Sequence, residues 1–311
     1  MQRTDPACTY PFGTPGQAWG QAEVSAWLAR QSIRRSYKAD VLTVIDRLRA
    51  RYEVLQYGQL DHDPERYPLF ALRSHHWQDD LPTALVTGGV HGYETSGVHG
   101  ALRFLDQHAF SFAGRINLIV APCVSPWAYE TIQRWNMHAV DPNRSFFEDS
   151  AAQESAALWQ LIAPLRDRVL VHIDLHETTD SDESEFRPAL SARDGVEFVP
   201  GEIPDGFYVV DDTESPQTAF QTAVIAAVAK VTHIAPASAD GEIIGSPVVA
   251  PGVIQYPLQR LGLCAGMTNA RFKTTTEVYP DSPRANDDLC NAAQATAVSA
   301  AITFALSHVD N

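Results

Sequence analysis

The sequence has 311 residues, of which 45% are hydrophobic and 20% charged, and its formal net charge is −15. This composition is typical of a folded enzyme, and the negative charge argues against nucleic acid or an anionic membrane as a partner. No apolar signal segment opens the sequence, and no run of 18 apolar residues occurs, so we expect a cytoplasmic protein. The four scattered cysteines favour reduced thiols, although a Cys264–Cys290 bridge stays open.

The hydrophobic pattern predicts strands that alternate with helices after an irregular N-terminal arm over residues 1–20. Helices are predicted at about 21–31, 37–51, 96–108, 151–162, 217–230 and 285–307, and strands at 53–60, 67–73, 81–87, 115–121, 169–176 and 274–277. A long loop is predicted over 186–216, with a short hairpin at 206–210, and a loop with a short strand over 242–257. The fold class is therefore α/β, a mixed, mostly parallel twisted sheet with helices on both faces, and we expect a single domain over residues 1–311.

The first chemical motif lies where the strand at 81–87 turns into a helix. His91 and Glu94 stand three residues apart after a glycine-rich turn, so both side chains can point to one spot as the helix begins. An imidazole and a carboxylate presented together suit zinc, which usually takes further ligands. The spacing is weak evidence alone, because a chain with 11 His could contain it by chance.

Two other stretches carry polar residues near predicted strand ends. The loop that follows Arg134 contains Asp141, Asn143 and Arg144, and a guanidinium beside an amide can hold a carboxylate. Arg134 could do the same, could stabilise an oxyanion, or could simply form a surface ion pair.

In the strand that follows, His172, Asp174 and His176 alternate with apolar residues, so they share one face. His176 at the strand end is the natural third metal ligand, His172 is expected to be a core histidine, and Asp174 could orient a ligand. The acidic run over residues 180–185 is expected to be a solvated loop rather than a cation site.

Taken in order, these residues resemble the zinc metallocarboxypeptidases of the carboxypeptidase A type. The matching elements are His91-x-x-Glu94, Arg134, Asp141-Pro-Asn143-Arg144, His176 and Glu277, and they extend over most of the chain. The wider family includes the aspartoacylase and succinylglutamate desuccinylase deacylases. The segment from Asp174 through His176 to the two threonines resembles the deacylase-like and bacterial branches more than the digestive enzymes.

The resemblance implies a site and a reaction. One zinc ion would be held by His91, Glu94 and His176, as in the His2Glu set that is known for carboxypeptidase A. Glu277 would be the general base for a zinc-activated water, and Arg134 would stabilise the oxyanion. The substrate's terminal carboxylate would be bound by the remaining matched pair, Asn143 and Arg144.

Two parts of the family's pattern are matched less completely in this sequence. The family uses a mobile tyrosine about twenty residues before the base, for which Tyr256 is the candidate and Tyr279 a substitute. The region 259–266, where the peptidases carry their specificity residue, has no clear acidic or bulky apolar determinant.

The leading hypothesis is a carboxypeptidase acting on a peptide or a small amidated amino acid with a free carboxylate. The alternatives are an N-acyl amino acid deacylase and a non-catalytic peptide-binding or metal-binding relative.

Overall fold

The computed structural model of the protein describes residues 10–75 and 77–309. The predicted N-terminal arm is irregular over residues 10–20, and its first nine residues, with Cys8, lie outside the described part. The chain then forms α1 (Gln21–Leu28) and a π-helical turn that runs into α2 (Thr43–Leu48). Val41, Ile45 and Leu48 recur at helical spacing there and are fully buried, which is why this stretch is helical.

An eight-stranded mixed sheet forms the centre of the molecule. Its strands and those of a separate small hairpin are β1 (Tyr52–Gln59), β2 (Pro68–Ser74), β3 (Thr83–Gly88), β4 (Asn117–Ala121), β5 (Val169–Glu177), β6 (Tyr208–Asp212), β7 (Glu242–Ile243), β8 (Ser246–Pro247), β9 (Val253–Tyr256) and β10 (Phe272–Val278). The sheet order is β1-β2-β4-β3-β5-β10-β6-β9, and β7 pairs only with β8. The central strands β4, β3, β5 and β10 are parallel, while β1, β2 and β6 join through antiparallel pairs.

Helices cover both faces of the sheet, as predicted. They are α3 (Thr95–Gln107), α4 (Pro126–Thr131), α5 (Gln153–Ile162), α6 (Arg187–Asp194), α7 (Thr218–Val228) and α8 (Asp287–Leu306). The helices α3, α7 and α8 pack together on one face, and α5 contributes Leu158 and Ile162 to a core on the other. An 18-residue window of the twenty-residue α8 has a mean hydropathy of 1.4, and half of this window is buried inside the protein. The predicted α/β fold class is therefore confirmed.

Helix α3 lies very close to β5. A Cβ atom at Gly97 would stand 2.4 Å from the carbonyl oxygen of Leu175, so only glycine permits this approach. The contact brings the first turn of α3 against the end of β5. Since residues at both places are candidate metal ligands, this close packing defines the geometry of the site.

The predicted loop over residues 186–216 is wrong in two places. It contains α6, which is too polar to show an apolar helical period and ends at Gly195 in the left-handed region, with φ of 68°. It also contains β6, which is not half of a local hairpin at 206–210. Val210 pairs instead with Thr275 of β10 and Ile254 of β9, so its partners are distant in sequence.

The cysteines of the described chain are free. Cys123, Cys264 and Cys290 are all buried thiols, so the bridge between Cys264 and Cys290 that the sequence left open does not form. They behave as small apolar residues of the core.

Candidate active site

The three candidate metal ligands meet at the carboxyl ends of two neighbouring parallel strands. His91 follows β3, Glu94 stands directly before α3, and His176 is the penultimate residue of β5. The Nδ1 atom of His91 lies 2.6 Å from Oε1 of Glu94, and Nδ1 of His176 lies 2.7 Å from Oε2. All three donor atoms lie within 4.8 Å of one another, and all three residues are buried.

Each histidine is oriented by a second carboxylate. The Nε2 atom of His91 is 3.1 Å from Oδ1 of Asp141, and Nε2 of His176 is 2.6 Å from Oδ2 of Asp174. A carboxylate on one ring nitrogen fixes the tautomer and leaves the other nitrogen for a metal. Both rings therefore present Nδ1 to the shared site. His172, two residues before Asp174, is completely buried and contacts threonine hydroxyls, as expected of a core histidine.

The donor set fits a zinc ion. Oε2 of Glu94 is buried and accepts no hydrogen bond within the described chain, although it faces a ring nitrogen of His176. Burial favours the protonated carboxyl, but His176 and His91 outweigh it and lower the pKa of Glu94 to about 2. The carboxylate is thus in the form that binds metal. Two imidazoles and one carboxylate, with space beside them, match the open zinc sites of hydrolases.

Glu277 lies beside the metal donors because of strand register. It is the penultimate residue of β10 and pairs directly with His176 on β5. The hydroxyl of Thr178 donates to its Oε2 atom at 3.0 Å. Burial raises the pKa of Glu277 to about 8, with His176 partly opposing the shift. A carboxyl that titrates near neutrality, next to a metal site, is suited to accept and return a proton.

The two candidate arginines have different surroundings. The Nε atom of Arg134 donates to Asp141 at 3.1 Å, and its Nη1 atom lies 3.7 Å from Asp182. Arg144 is exposed to the cavity, donates to the carbonyl of Asn143 at 2.7 Å and forms no ion pair within residues 10–75 and 77–309. Arg134 is therefore held between two carboxylates, whereas Arg144 has no carboxylate within ion-pair distance in the described chain.

Asn143 presents an amide donor to the same site. Its Oδ1 atom accepts the backbone N–H of Cys264 at 2.8 Å, so its Nδ2 atom faces His176 at 3.3 Å. The backbone N–H of Asn143 in turn donates to Asp141 at 2.9 Å. The short helical turn of residues 142–144 is thus tied to the carboxylate that orients His91.

The two candidate tyrosines are also distinguished. Tyr256 is the last residue of β9, lines the cavity and accepts a hydrogen bond from Ser246 at 3.3 Å. Its backbone pairs with Asp212 of β6, so it belongs to the sheet rather than to a free loop. Tyr279 donates to Asp180 at the surface and lies outside the cavity lining.

The site opens into a cavity of about 360 Å³, within the range of small-molecule sites. Its walls include residues that the sequence did not indicate, among them Asp182, Arg187 and Leu190. Asp182 comes from the acidic run, and the prediction of a solvated loop is wrong for it, because it is buried and accepts the hydroxyl of Tyr93 at 2.8 Å.

Arg35 is a second missed residue. It donates to the carbonyl of Gly92 at 2.9 Å and to the hydroxyl of Thr95 at 2.6 Å, and thereby grips the turn that carries His91 and Glu94. Nothing in the sequence around Arg35 signals this role, because the contact joins residues about sixty positions apart.

Comparison with solved structures identifies the fold. No protein-family model and no curated protein matches the sequence. A protein of Shewanella amazonensis assigned as a metallopeptidase superposes with a TM-score of 0.62 at 23% identity, over 88% of this chain and 98% of that one. The chain has the carboxypeptidase A fold.

Two further structures support that fold. A metallo-carboxypeptidase of Burkholderia cenocepacia gives a TM-score of 0.57 at 14% identity, over 85% of this chain and 68% of that one. Carboxypeptidase A of Helicoverpa armigera gives 0.56 at 14% identity, over 95% of this chain and 75% of that one. The fold implied by the motif order is therefore confirmed.

Proposed function

We propose that this chain is a zinc-dependent carboxypeptidase that hydrolyses the C-terminal amide bond of a peptide. The observation that carries the proposal is the shared cavity of a His2Glu donor set, the adjacent Glu277 and the unpaired cation of Arg144. The metal donors and Glu277 are suited to amide hydrolysis, and the guanidinium of Arg144 is suited to bind a substrate carboxylate. Together they point to cleavage beside a terminal carboxylate, as an exopeptidase requires.

The protein groups divide the reaction between them. The ligands His91, Glu94 and His176 would hold a zinc ion, which would serve as a Lewis acid toward a water and the substrate carbonyl. Glu277 takes the proton of that water and returns it to the leaving amine. Arg134, held in place by Asp141 and Asp182, offers its remaining N–H groups to the developing oxyanion. Tyr256, which lines the same cavity, is our candidate for a tyrosine that contacts the substrate.

The terminal carboxylate is assigned to Arg144 and Asn143. Arg144 can turn its free N–H groups toward a ligand without breaking an ion pair, and the Asn143 amide already faces the site. Val210, Leu263 and Thr275 line the same cavity and offer an uncharged surface to the terminal side chain. This surface favours a substrate with a neutral terminal residue.

The experiment is a substrate panel with the zinc content of the protein quantified. Purified protein carrying about one zinc per chain is incubated with peptides that differ in the last residue and with N-acetyl, N-succinyl and N-formyl amino acids. We expect release of single C-terminal residues, lost on chelation and restored by zinc. Cleavage of the acyl amino acids alone would replace the proposal with a deacylase. Zinc binding without turnover on the whole panel would favour a non-catalytic binding protein.

A further inference from the structure

Glu177 connects the two halves of the candidate metal site. It directly follows His176 in β5, where successive side chains point to opposite faces of the sheet. Its Oε1 atom accepts the backbone N–H of Ser96 at 2.6 Å, and Oε2 accepts that of Thr95 at 3.2 Å. These are the first two N–H groups of α3, which begins immediately after Glu94. One buried carboxylate therefore joins the strand that carries one ligand to the helix that follows another.

Helix α3 needs this contact because the side chain at its own N-cap position contacts the two histidines instead of the helix N–H groups. The first N–H groups of a helix have no partner within the helix and are usually bound by the side chain at the N-cap position. That position is Glu94, whose carboxylate lies against His91 and His176 and makes no capping bond within the described chain. Glu177 replaces it, because its two oxygens accept the N–H groups of Thr95 and Ser96.

Gln294 of α8 supports the same junction. It is completely buried, donates to the carbonyl oxygen of His176 at 2.7 Å and accepts the hydroxyl of Thr276 at 2.6 Å. Its Nε2 atom also lies 3.4 Å from the Ser96 hydroxyl. The end of β5 is thus attached to α3 through Glu177 and to α8 and β10 through Gln294.

We propose that Glu177 is a positioning residue for the metal centre, which sets the separation between Glu94 at the start of α3 and His176 at the end of β5. The inference rests on the proposed metal site but not on the substrate. Without the carboxylate, the first turn of α3 is free to shift away from β5, and the donor atoms no longer fit one ion. Loss of a partner that orients ligands typically costs about 10-fold to 100-fold in metal affinity.

The chain offers a matched control at a second helix. Asp211 of β6 is buried and accepts the backbone N–H of Gln217 at 2.9 Å, directly before α7. It also accepts the side-chain amide of Gln221 at 2.9 Å. The contact is of the same kind, a strand carboxylate at a helix start, but β10 separates β6 from β5. Asp211→Asn therefore tests the loss of such a contact away from the metal donors.

The experiment compares Glu177→Ala, Glu177→Gln and Asp211→Asn with the wild type. Zinc affinity is measured by competition with a chromophoric chelator, the cobalt(II) form by its visible absorption spectrum, and stability by thermal unfolding without metal. We expect zinc affinity to fall at least 10-fold for Glu177→Ala and less for Glu177→Gln, whose one oxygen can still accept from Ser96. The cobalt spectrum changes for both. Asp211→Asn lowers the unfolding temperature but keeps the zinc affinity and spectrum of the wild type.

Two results would overturn the inference. One is a zinc affinity of both Glu177 variants within twofold of the wild type, with an unchanged cobalt spectrum. The other is an equal loss in Asp211→Asn, which would mean that general destabilisation is the cause. If Glu177→Ala does not fold, Gln294→Met loosens the same junction and must show the same loss of affinity. Failure of the wild type itself to bind zinc would instead remove the proposed function.

Discussion

The metal-binding edge of the sheet and the wall of the cavity are built in different ways. At the edge, Glu277 pairs with His176 on the adjacent parallel strand, and His91 lies in the turn that follows the next strand, β3. The wall consists of α6, β6, the β7–β8 hairpin and β9, which come from residues 178–262, and its strand β6 pairs with the distant β10 and β9. Under the proposed function, the sheet edge would determine the reaction and the wall would determine which substrate is accepted.

The largest effect is expected at the edge, from Glu277→Gln. The amide keeps the size of the side chain but cannot take a proton from water, so we expect kcat to fall about 10³-fold. The metal donors are untouched, so about one zinc per chain should remain. Steady-state kinetics with measured zinc content checks this. A variant that keeps more than a tenth of wild-type kcat would remove Glu277 from its assigned role.

The second-largest effect is expected at Glu154 of α5, which supports the loop that contains Asn136. Burial raises the pKa of Glu154 to about 7, and Asn136 of that loop is its side-chain hydrogen-bond partner. Because the folded-state pKa is raised, the contribution of Glu154 to the free energy of unfolding is complete below pH 4.5. This contribution is lost as the pH rises to about 7. The loss amounts to about 3 kcal/mol at pH 8.

Glu154→Gln should therefore match the wild type near pH 4 and exceed its free energy of unfolding by about 3 kcal/mol at pH 8. Urea unfolding of both proteins without zinc at several pH values measures the difference. A pH-independent difference would show that Glu154 is ionised or solvated in the folded protein.

Where the cavity is proposed to bind the terminal carboxylate, Arg144→Ala should weaken substrate binding by roughly 100-fold, because a charge-assisted bond is lost. The effect should appear mainly in KM for peptides with a free terminus. Arg144→Lys should keep part of the binding, since it retains the charge but not the bidentate geometry. An equal loss for peptides with an amidated terminus would argue against a carboxylate clamp.

The smallest effect is expected at the tip of the hairpin. Ile244 has φ of 45° and lines the cavity, a conformation that is unfavourable for a β-branched residue and easier for asparagine. We expect Ile244→Asn to stabilise the protein by less than about 1 kcal/mol and to change preference for the terminal residue only a few-fold. The neighbouring Ile243, which is buried, is the control, and Ile243→Asn should be clearly destabilising.

The edge could be predicted because local signals coincide there. Strand β3 and the turn at His91 are marked by a buried apolar run and glycines, and the alternation in β5 places His176 at its end. The order of the remaining motifs then implied the fold, which the solved structures confirm. The assigned roles of these residues stay predictions until they are measured.

The wall could not be predicted, because its structure depends on contacts far apart in sequence. Helix α6 has a polar sequence, and β6 is a strand only because β10 and β9 lie beside it. The contact of Asp182 with Tyr93 joins residues 89 positions apart, so an acidic run that reads as solvated contributes a buried carboxylate. Only an assembled fold shows such pairs.

The most direct test of the account is a crystal structure of the zinc-loaded protein with anomalous data collected at the zinc absorption edge. We expect one peak about 2.1 Å from Nδ1 of His91 and Nδ1 of His176, in contact with the Glu94 carboxylate. We also expect Nε2 of His91 to keep its contact with Asp141, and Nε2 of His176 its contact with Asp174. A peak elsewhere, or ligation through either Nε2 atom, would contradict it.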